Sequence, residues 1–527
     1  MWSFSSTATH RRGWIVFLWT LLTFVPNNRA QWDKNGLEEV RCPTYIGNAP
    51  CDCQAASDGL DFLCATSSTG LADIRAVVSA ARFAIKTLVV TRLDPNITSI
   101  AERTFANGSV NDFTIQSSQL RDIEENAFEG THQRLHTLSI HNSLDLKFVP
   151  RAVSKIAALK RLDLSGNSVA EIYAYTFFGS AKLSYLNLEG NQLAQMAENA
   201  FLGLENTLRE LNLKENLFQS FPMSAVKILK KLQSLNLAGN QITNITAEPF
   251  TRLETIRLMD LSNNQFSYLD KETLATMPSL QRLWMANNGL EDIEVGSLSG
   301  LHDLEMIDLS GNKLTDLPRD LFAHTRRLVR VDLSRNKLKS LAGVFSDLFT
   351  LEEVFLNDNL LLSFSNLWFK NTPSVKTIHL EHNVLVEIEE NAMQPLKRLS
   401  QLYLSHNFLS VIEATYFRYN VALTNLHLDN NHISSIDATA FRGVPKLKAL
   451  RLDNNNLKTI DRSLFASLTS LTELHLQVSN FYTSCSTVVY SHIFKVYCYS
   501  AVACQPFLLL SYMICVALLL LFRIFDS

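Results

Sequence analysis

Cysteine is missing from the long middle of this 527-residue chain. Four cysteines lie between Cys42 and Cys64, four between Cys485 and Cys515, and about 420 residues between the groups carry none. The body must therefore be held by packing, not by cross-links. Glycine and proline are scarce, at 18 and 13 residues, which excludes collagen-like and linker-like chains. No long basic run occurs and the net charge is −3, so electrostatic binding of nucleic acid has no support. A Gly-rich phosphate loop, H-E-x-x-H and G-x-S-x-G are all missing, and the histidines do not fall at helical metal-ligand spacing. The motifs thus point to no enzyme and to no cofactor. What is present is 46% apolar and 19% charged residues, the composition of a folded chain.

The two ends read as targeting segments. His10, Arg11 and Arg12 precede an apolar stretch at 13–25 that Pro26 breaks, the pattern of a secretory signal over residues 1–30. Ala30 suits the position before the cut, whereas Asn28 is not small; an uncleaved anchor is the alternative. Residues 501–522 are uncharged and as a helix would span roughly 33 Å, enough for a bilayer. Arg523 follows directly. The expectation is a transmembrane helix at 501–522, a juxtamembrane segment at 478–500 and a short cytoplasmic tail at 523–527. A buried core helix is one alternative. A lipid-anchor signal at Ser484, Cys485 and Ser486 is another, opposed by the charged Arg523 and Asp526.

Between the ends runs a repeat. Asn167, Asn191, Asn216, Asn240, Asn264, Asn288, Asn312, Asn336, Asn359, Asn383, Asn407, Asn431 and Asn455 follow one another at steps of 23 to 25 residues. Each sits in a frame L-x-x-L-x-L-x-x-N-x-L, as in Leu183, Leu186, Leu188, Asn191 and Leu193. Earlier, degenerate copies place Leu93, Ser118 and Ser143 where the asparagine belongs. Leucines at frame positions four and six flank one outward residue, which is strand alternation. The asparagine amide suits a turn that leaves backbone groups unpaired. A phenylalanine about ten residues later, at Phe128, Phe178, Phe201, Phe250, Phe322, Phe345, Phe417, Phe441 and Phe465, is expected to fill the far side of the core. A single repeat cannot bury its own leucines, so neighbours must stack and the ends need caps.

These frames resemble the extracellular leucine-rich-repeat family with 24-residue repeats, over residues 85–477, in about 16 full copies and a partial one. The resemblance implies an α/β solenoid, a horseshoe with a parallel sheet on its concave face. The spacing C-x8-C-x-C-x10-C at Cys42, Cys51, Cys53 and Cys64 resembles the family's cysteine-rich N-terminal flank, here residues 31–84. That likeness implies the pairs Cys42–Cys53 and Cys51–Cys64; the spacing alone allows three connectivities, and a zinc site is disfavoured by the lone C-x-C. Residues 70–82 read as a short helix or half-repeat. The family's C-terminal cysteine flank has no counterpart. The frame stops at Gln477-Val478-Ser479, which leaves the last strand without an evident cover. Gln-Val-Ser is also what translation through an exon end of the form CAG|GTAAGT produces, so residues 478–527 are either a genuine stalk and anchor or an isoform-specific terminus.

Position five of each frame points out from the strand. Up to Asp332 it holds Asp163, Asn187, Asn212, Asn236, Asp260, Trp284 and Asp308; beyond, it becomes Phe355, His379, Tyr403, His427, Arg451 and His475. Phe355, His379, Tyr403, His427 and Arg451 form the candidate partner-binding patch, with the acidic stripe as its flank; the competing interpretation is a surface that only stays soluble. A metal held by His379 and His427 is disfavoured because Tyr403 intervenes and no third ligand is fixed. Sequons at Asn96, Asn107 and Asn244 are expected glycosylation sites away from the concave face. The expected whole is a non-catalytic scaffold at the plasma membrane that binds a protein ligand or co-receptor, with a secreted matrix or enzyme-accessory protein as the alternative.

Overall fold

The structure, a computed structural model, describes residues 40–476 apart from 66–67, 107, 246–251, 342, 459 and 461, together with the backbone of Lys495–Tyr497. The expected signal at 1–30, the helix at 501–522, the tail, the four C-terminal cysteines, Asn107, Phe250 and Gln477 lie outside the described residues.

The chain winds as a solenoid with one 20-stranded sheet. The sheet begins in the cap, where Cys51–Ala56 and Gly59–Cys64 form an antiparallel hairpin. Cys42 is bonded to Cys53 and Cys51 to Cys64, the pairing the family resemblance implies. The second hairpin strand then pairs in parallel with Ile85–Val90, so the cap supplies the first rung. A helix at Leu71–Ala80 lies between them and buries Ile74, Val77 and Val78. From there every strand pairs in parallel with the next, in register: Leu211 beside Leu235, Leu235 beside Met259 and so on. Stacking places frame positions four and six of all copies in one continuous core, fully buried from Leu88 to Leu474. Each leucine so buried is worth ~2 kcal/mol of transfer free energy, available only once a neighbour covers it.

The asparagines tie the rungs together. Asn312 donates its amide to Leu309 O at 2.8 Å in its own repeat and to Met285 O at 3.0 Å in the preceding one. Its oxygen accepts the backbone N–H groups of Asn288, Gly289 and Leu290 at 2.9–3.0 Å. Asn191, Asn216, Asn240, Asn264, Asn336, Asn359, Asn383, Asn407, Asn431 and Asn455 likewise donate to both repeats. Asn167 begins the ladder with Ile140 O and Leu164 O, and Asn288 continues it with Leu261 O and Ala286 O. In the degenerate copies Ser118 and Ser143 share only one hydroxyl contact of 2.6 Å. There the strands run on instead, over Val110–Gln116 and Thr137–His141, against three residues in the regular repeats.

Two expectations are corrected. Phe178 does not fill the core: it is exposed, and its neighbour Phe177 is buried and stacks on Phe201. Phe177 lies ten residues after Asn167, as Phe201 does after Asn191, so the repeat register selects the first of two adjacent phenylalanines. Second, the sheet does not end at the partial repeat. Lys495–Tyr497 adds a parallel strand beside Glu473–His475, with Leu474 opposite Val496, so the last regular strand has a backbone partner.

Candidate functional site

Position five divides the concave face into two parts that differ in what the side chain does. In the first part each Asp or Asn turns back on its own chain and accepts the backbone N–H two residues on. Asp163 takes Ser165, Asn187 takes Glu189, Asn212 takes Lys214, Asn236 takes Ala238, Asp260 takes Ser262, Asp308 takes Ser310 and Asp332 takes Ser334, all at 2.9–3.1 Å. The stripe is therefore an array of Asx turns. Its side chains satisfy the strand ends, so the stripe expected as the acidic flank of the binding patch has a structural role of its own. Two of the asparagines also donate: Asn187 to Asp163 at 3.1 Å and Asn212 to Glu189 at 3.0 Å. Asp332 accepts a second bond from the Ser334 hydroxyl at 2.7 Å, and Asp308 and Asp332 stand on neighbouring rungs. Burial, then the nearby Asp308, raises the Asp332 carboxyl above its ordinary value; burial likewise raises Asp260.

Phe355, His379, Tyr403, His427 and Arg451 make no such turn. Their strands, Glu353–Phe355, Thr377–His379, Gln401–Tyr403, Asn425–His427 and Ala449–Arg451, are consecutive rungs. The rings of Phe355 and His379 stack at 4.6 Å and 7°, and those of His379 and Tyr403 at 4.4 Å and 9°. Tyr403 then meets His427 edge-on at 4.7 Å. The Arg330 guanidinium covers the far face of Phe355 at 4.3 Å while pairing with Glu353 at 3.1 Å. Ring faces are thus spent on one another, and the ladder offers its edges to solvent. Such edges carry the positive end of the ring quadrupole.

Polar neighbours fix the ladder. Glu381 lies 3.0 Å from His379 Nδ1, which makes Nδ1 the donor and leaves Nε2 for another partner. Tyr403 donates its hydroxyl to Gln401 at 3.0 Å. Arg451 is held by Asp453 at 3.3 Å and Asp429 at 3.6 Å, and Asp429 also accepts from Ser405 at 2.6 Å. Burial lowers the His427 pKa, with Asp429 opposing that effect, so the ring is neutral at pH 7. The second carboxylate oxygen of Glu381 is buried without a hydrogen-bond partner.

A second feature was missed in the sequence. Beside the ladder, His382 and His406 stack at 4.2 Å, and Phe408 meets His432 edge-on at 5.2 Å. These rings flank the asparagine ladder, one residue before or after it. The signal was available, because their frame positions are filled mostly by Gly, Asn, Gln or Lys in earlier repeats. Of the sequons, Asn96 is exposed in a turn and Asn244 is exposed in the irregular segment after its strand, and neither belongs to the aromatic ladder. Among the described residues no group of three or more His, Cys, Asp or Glu is arranged to hold a metal ion. Also among them, no helix is long and apolar enough to cross a membrane.

Comparison with known proteins agrees with this geometry. The leucine rich repeat family model matches residues 206–266, 230–290, 255–314, 278–338, 349–409 and 421–481, and the BspA type leucine rich repeat region matches 79–207. The chain belongs to the leucine-rich-repeat proteins. None of the curated proteins matches its sequence. Among solved structures it is similar to Drosophila Toll in the glycosylated Toll–Spatzle complex, at 19% identity and TM-score 0.72, covering 88% of this chain and 74% of that one. It is also similar to a leucine-rich-repeat protein of Leptospira interrogans, at 21% identity and TM-score 0.55, covering 75% and 92%. At these identities the likeness is one of fold.

Proposed function

We propose that this protein is a non-catalytic extracellular scaffold that binds a protein partner through the concave ladder Phe355, His379, Tyr403, His427 and Arg451. The observation that carries the reading is the change of use at position five. Seven earlier Asp and Asn side chains are consumed by their own turns, whereas five consecutive rungs hold rings and an arginine that close no turn. A preorganised aromatic surface with fixed polar neighbours is the composition of a binding hot spot. Toll, which is similar in fold, is seen in complex with Spatzle, which supports a protein ligand for such a solenoid. The two cap disulfides support an oxidising, extracellular setting. Glycans at Asn96, Asn107 and Asn244 would leave the ladder open. The uncharged run at 501–522 supports an anchor in the plasma membrane, with a co-receptor or adhesion role; a secreted matrix or enzyme-accessory protein is the second reading. Carbonate extraction of membranes separates the two, since an anchored chain stays with the lipid. The binding reading is tested with an array of extracellular domains probed with the full chain. Binding should be lost when His379, Tyr403 and His427 are together replaced by serine; undiminished binding would move the site off the ladder.

A further inference from the structure

The ladder is one column of a wider surface. Four consecutive strand-and-turn segments, 355–364, 379–388, 403–412 and 427–436, contain no lysine or arginine. They hold four carboxylates, Asp358, Glu381, Glu387 and Asp429, and five imidazoles. The equivalent segment one repeat earlier, 332–341, carries Arg335, Lys337 and Lys339, and the one before it carries Lys313. Arg451 on the next rung pairs with Asp429, so the negative charge of these segments at neutral pH rests on Asp358, Glu381 and Glu387.

The same segments carry an unusual apolar flank. The residue after the ladder asparagine is Leu360, Val384 and Phe408 in three successive copies, where earlier copies have Gln192, Gln241, Gln265, Lys313 and Lys337 and one isolated leucine, Leu217. Two residues on stand Leu362 and Val386, where earlier copies have Glu291, Thr315 and Lys339. Leu360, Leu362, Val386, Phe408 and Val411 are 41–57% exposed. They line up because the turns are hydrogen-bonded rung to rung: Val384 N to Leu361 O, Val386 N to Leu362 O, Phe408 N to Leu385 O and His432 N to Leu409 O. Short parallel pairs, Ser363–Phe364 with Glu387–Ile388 and Val411–Ile412 with Ser435–Ile436, fix the same edge. Between flank and ladder stands the stacked pair His382 and His406. Ladder, imidazole shoulder and apolar flank are adjacent columns on the same rungs, bent around one edge of the solenoid.

We propose that these columns form one docking face for a protein segment that carries aliphatic anchors and a net positive charge, its anchors on the flank and its cations toward Asp358, Glu381 and Glu387. The proposal rests on the binding reading above and extends it. Charge selects the occupant. Anionic lipid and nucleic acid both require available cations, whereas the face's two arginines are already paired, Arg451 with Asp429 and Asp453 and Arg330 with Glu353. A basic apolar segment matches the exposed leucine and valine side chains and the carboxylates together. A second copy of this chain would have to bring Lys313, Arg335, Lys337 and Lys339 onto the face; that arrangement is an alternative the test resolves.

The test uses a displayed library of random 16-residue peptides, panned on the full-length protein at low salt. The expected result is enrichment of Lys or Arg together with Leu, Ile or Val. Selected peptides should bind at least tenfold more weakly to Leu362→Ser with Phe408→Ser, and to Tyr403→Ser, and should weaken as salt rises. The variants lie at exposed or half-buried positions, and unchanged melting confirms folding. Peptides with no basic bias, or no enrichment at all, overturn the proposal. Peptides lost with Tyr403→Ser but kept by the flank variant overturn the extension and leave the ladder as the site. Peptides kept by both variants overturn both. Self-association that the flank variant abolishes, measured by sedimentation without peptide, replaces the basic segment with a second copy and also overturns it.

Discussion

The concave face up to Asp332 and the face from Phe355 onward share one backbone and one frame, yet spend the same position differently. In the first region position five closes a turn, as when Asn212 accepts Lys214 N at 3.1 Å. In the second it builds a surface, as when His379 and Tyr403 stack at 4.4 Å. The leucine core and the asparagine ladder run unchanged through both. A solenoid whose stability is carried by buried leucine and asparagine has position five free to vary, and this chain varies it by region.

The largest effect should come from the part both regions share. Asn312→Ala removes an oxygen that serves three N–H groups and an amide that serves two repeats. It should cost ~3 kcal/mol and lower secretion, because buried polar groups are left unsatisfied. Asn312→Asp should be nearly as harmful, since it keeps the acceptor and loses both donors. Denaturant melting checks this, and parental stability in Asn312→Ala would remove the ladder from the account.

Within the first region, Asn212→Ala should cost ~1 kcal/mol through the lost turn bond and the lost contact with Glu189. Asp332→Asn should go the other way and raise the melting temperature at pH 7. The amide keeps an acceptor for Ser334 N, and the buried charge beside Asp308 is removed. Because the folded pKa of Asp332 is raised, the folded state takes up that proton first as pH falls. The penalty is therefore largest at neutral pH and fades below the raised value, so the gain from Asp332→Asn should shrink in acid. A melting temperature that falls at pH 7 would contradict the reading of this carboxylate.

The second region should respond to pH with the opposite sign. The folded pKa of His427 is lowered by burial, so below the unfolded value of ~6.5 the unfolded chain takes up the proton first. Stability tied to this ring should be intact at pH 7 and decline as pH falls from ~6.5 toward the lowered value. His427→Gln should flatten that part of the profile in pH-resolved melting curves; an unchanged slope would place its cause elsewhere.

The fold was legible because each of the regular repeats from Asn167 onward states its own rule: an aliphatic pair at strand spacing and an asparagine at the turn. The Phe177 register was obscured by a second phenylalanine beside it, where only a residue count from Asn167 decides. The Asx role of the acidic stripe was not read from the sequence. Its clue was the residue type, Asp or Asn, at a strand end, which is where such side chains bond backwards. The strand at Lys495–Tyr497 carries no leucine frame, so pairing there leaves no sequence periodicity to read. The aromatic ladder could be located from its composition, but its stacking could not, because ring orientation depends on the neighbouring rungs. The flank of Leu362 and Phe408 escaped notice because exposed apolar residues interrupt no motif.

The most direct test of the division is a paired measurement on Asn212→Ala and Tyr403→Ser, scoring thermal stability and affinity for the library-selected peptides in the same preparations. The account predicts a crossed result: Asn212→Ala melts lower and binds as the parent does, whereas Tyr403→Ser melts close to the parent and loses at least tenfold in affinity. If Tyr403→Ser loses stability and keeps its affinity, the aromatic rungs are structural like the rest, and the division is contradicted.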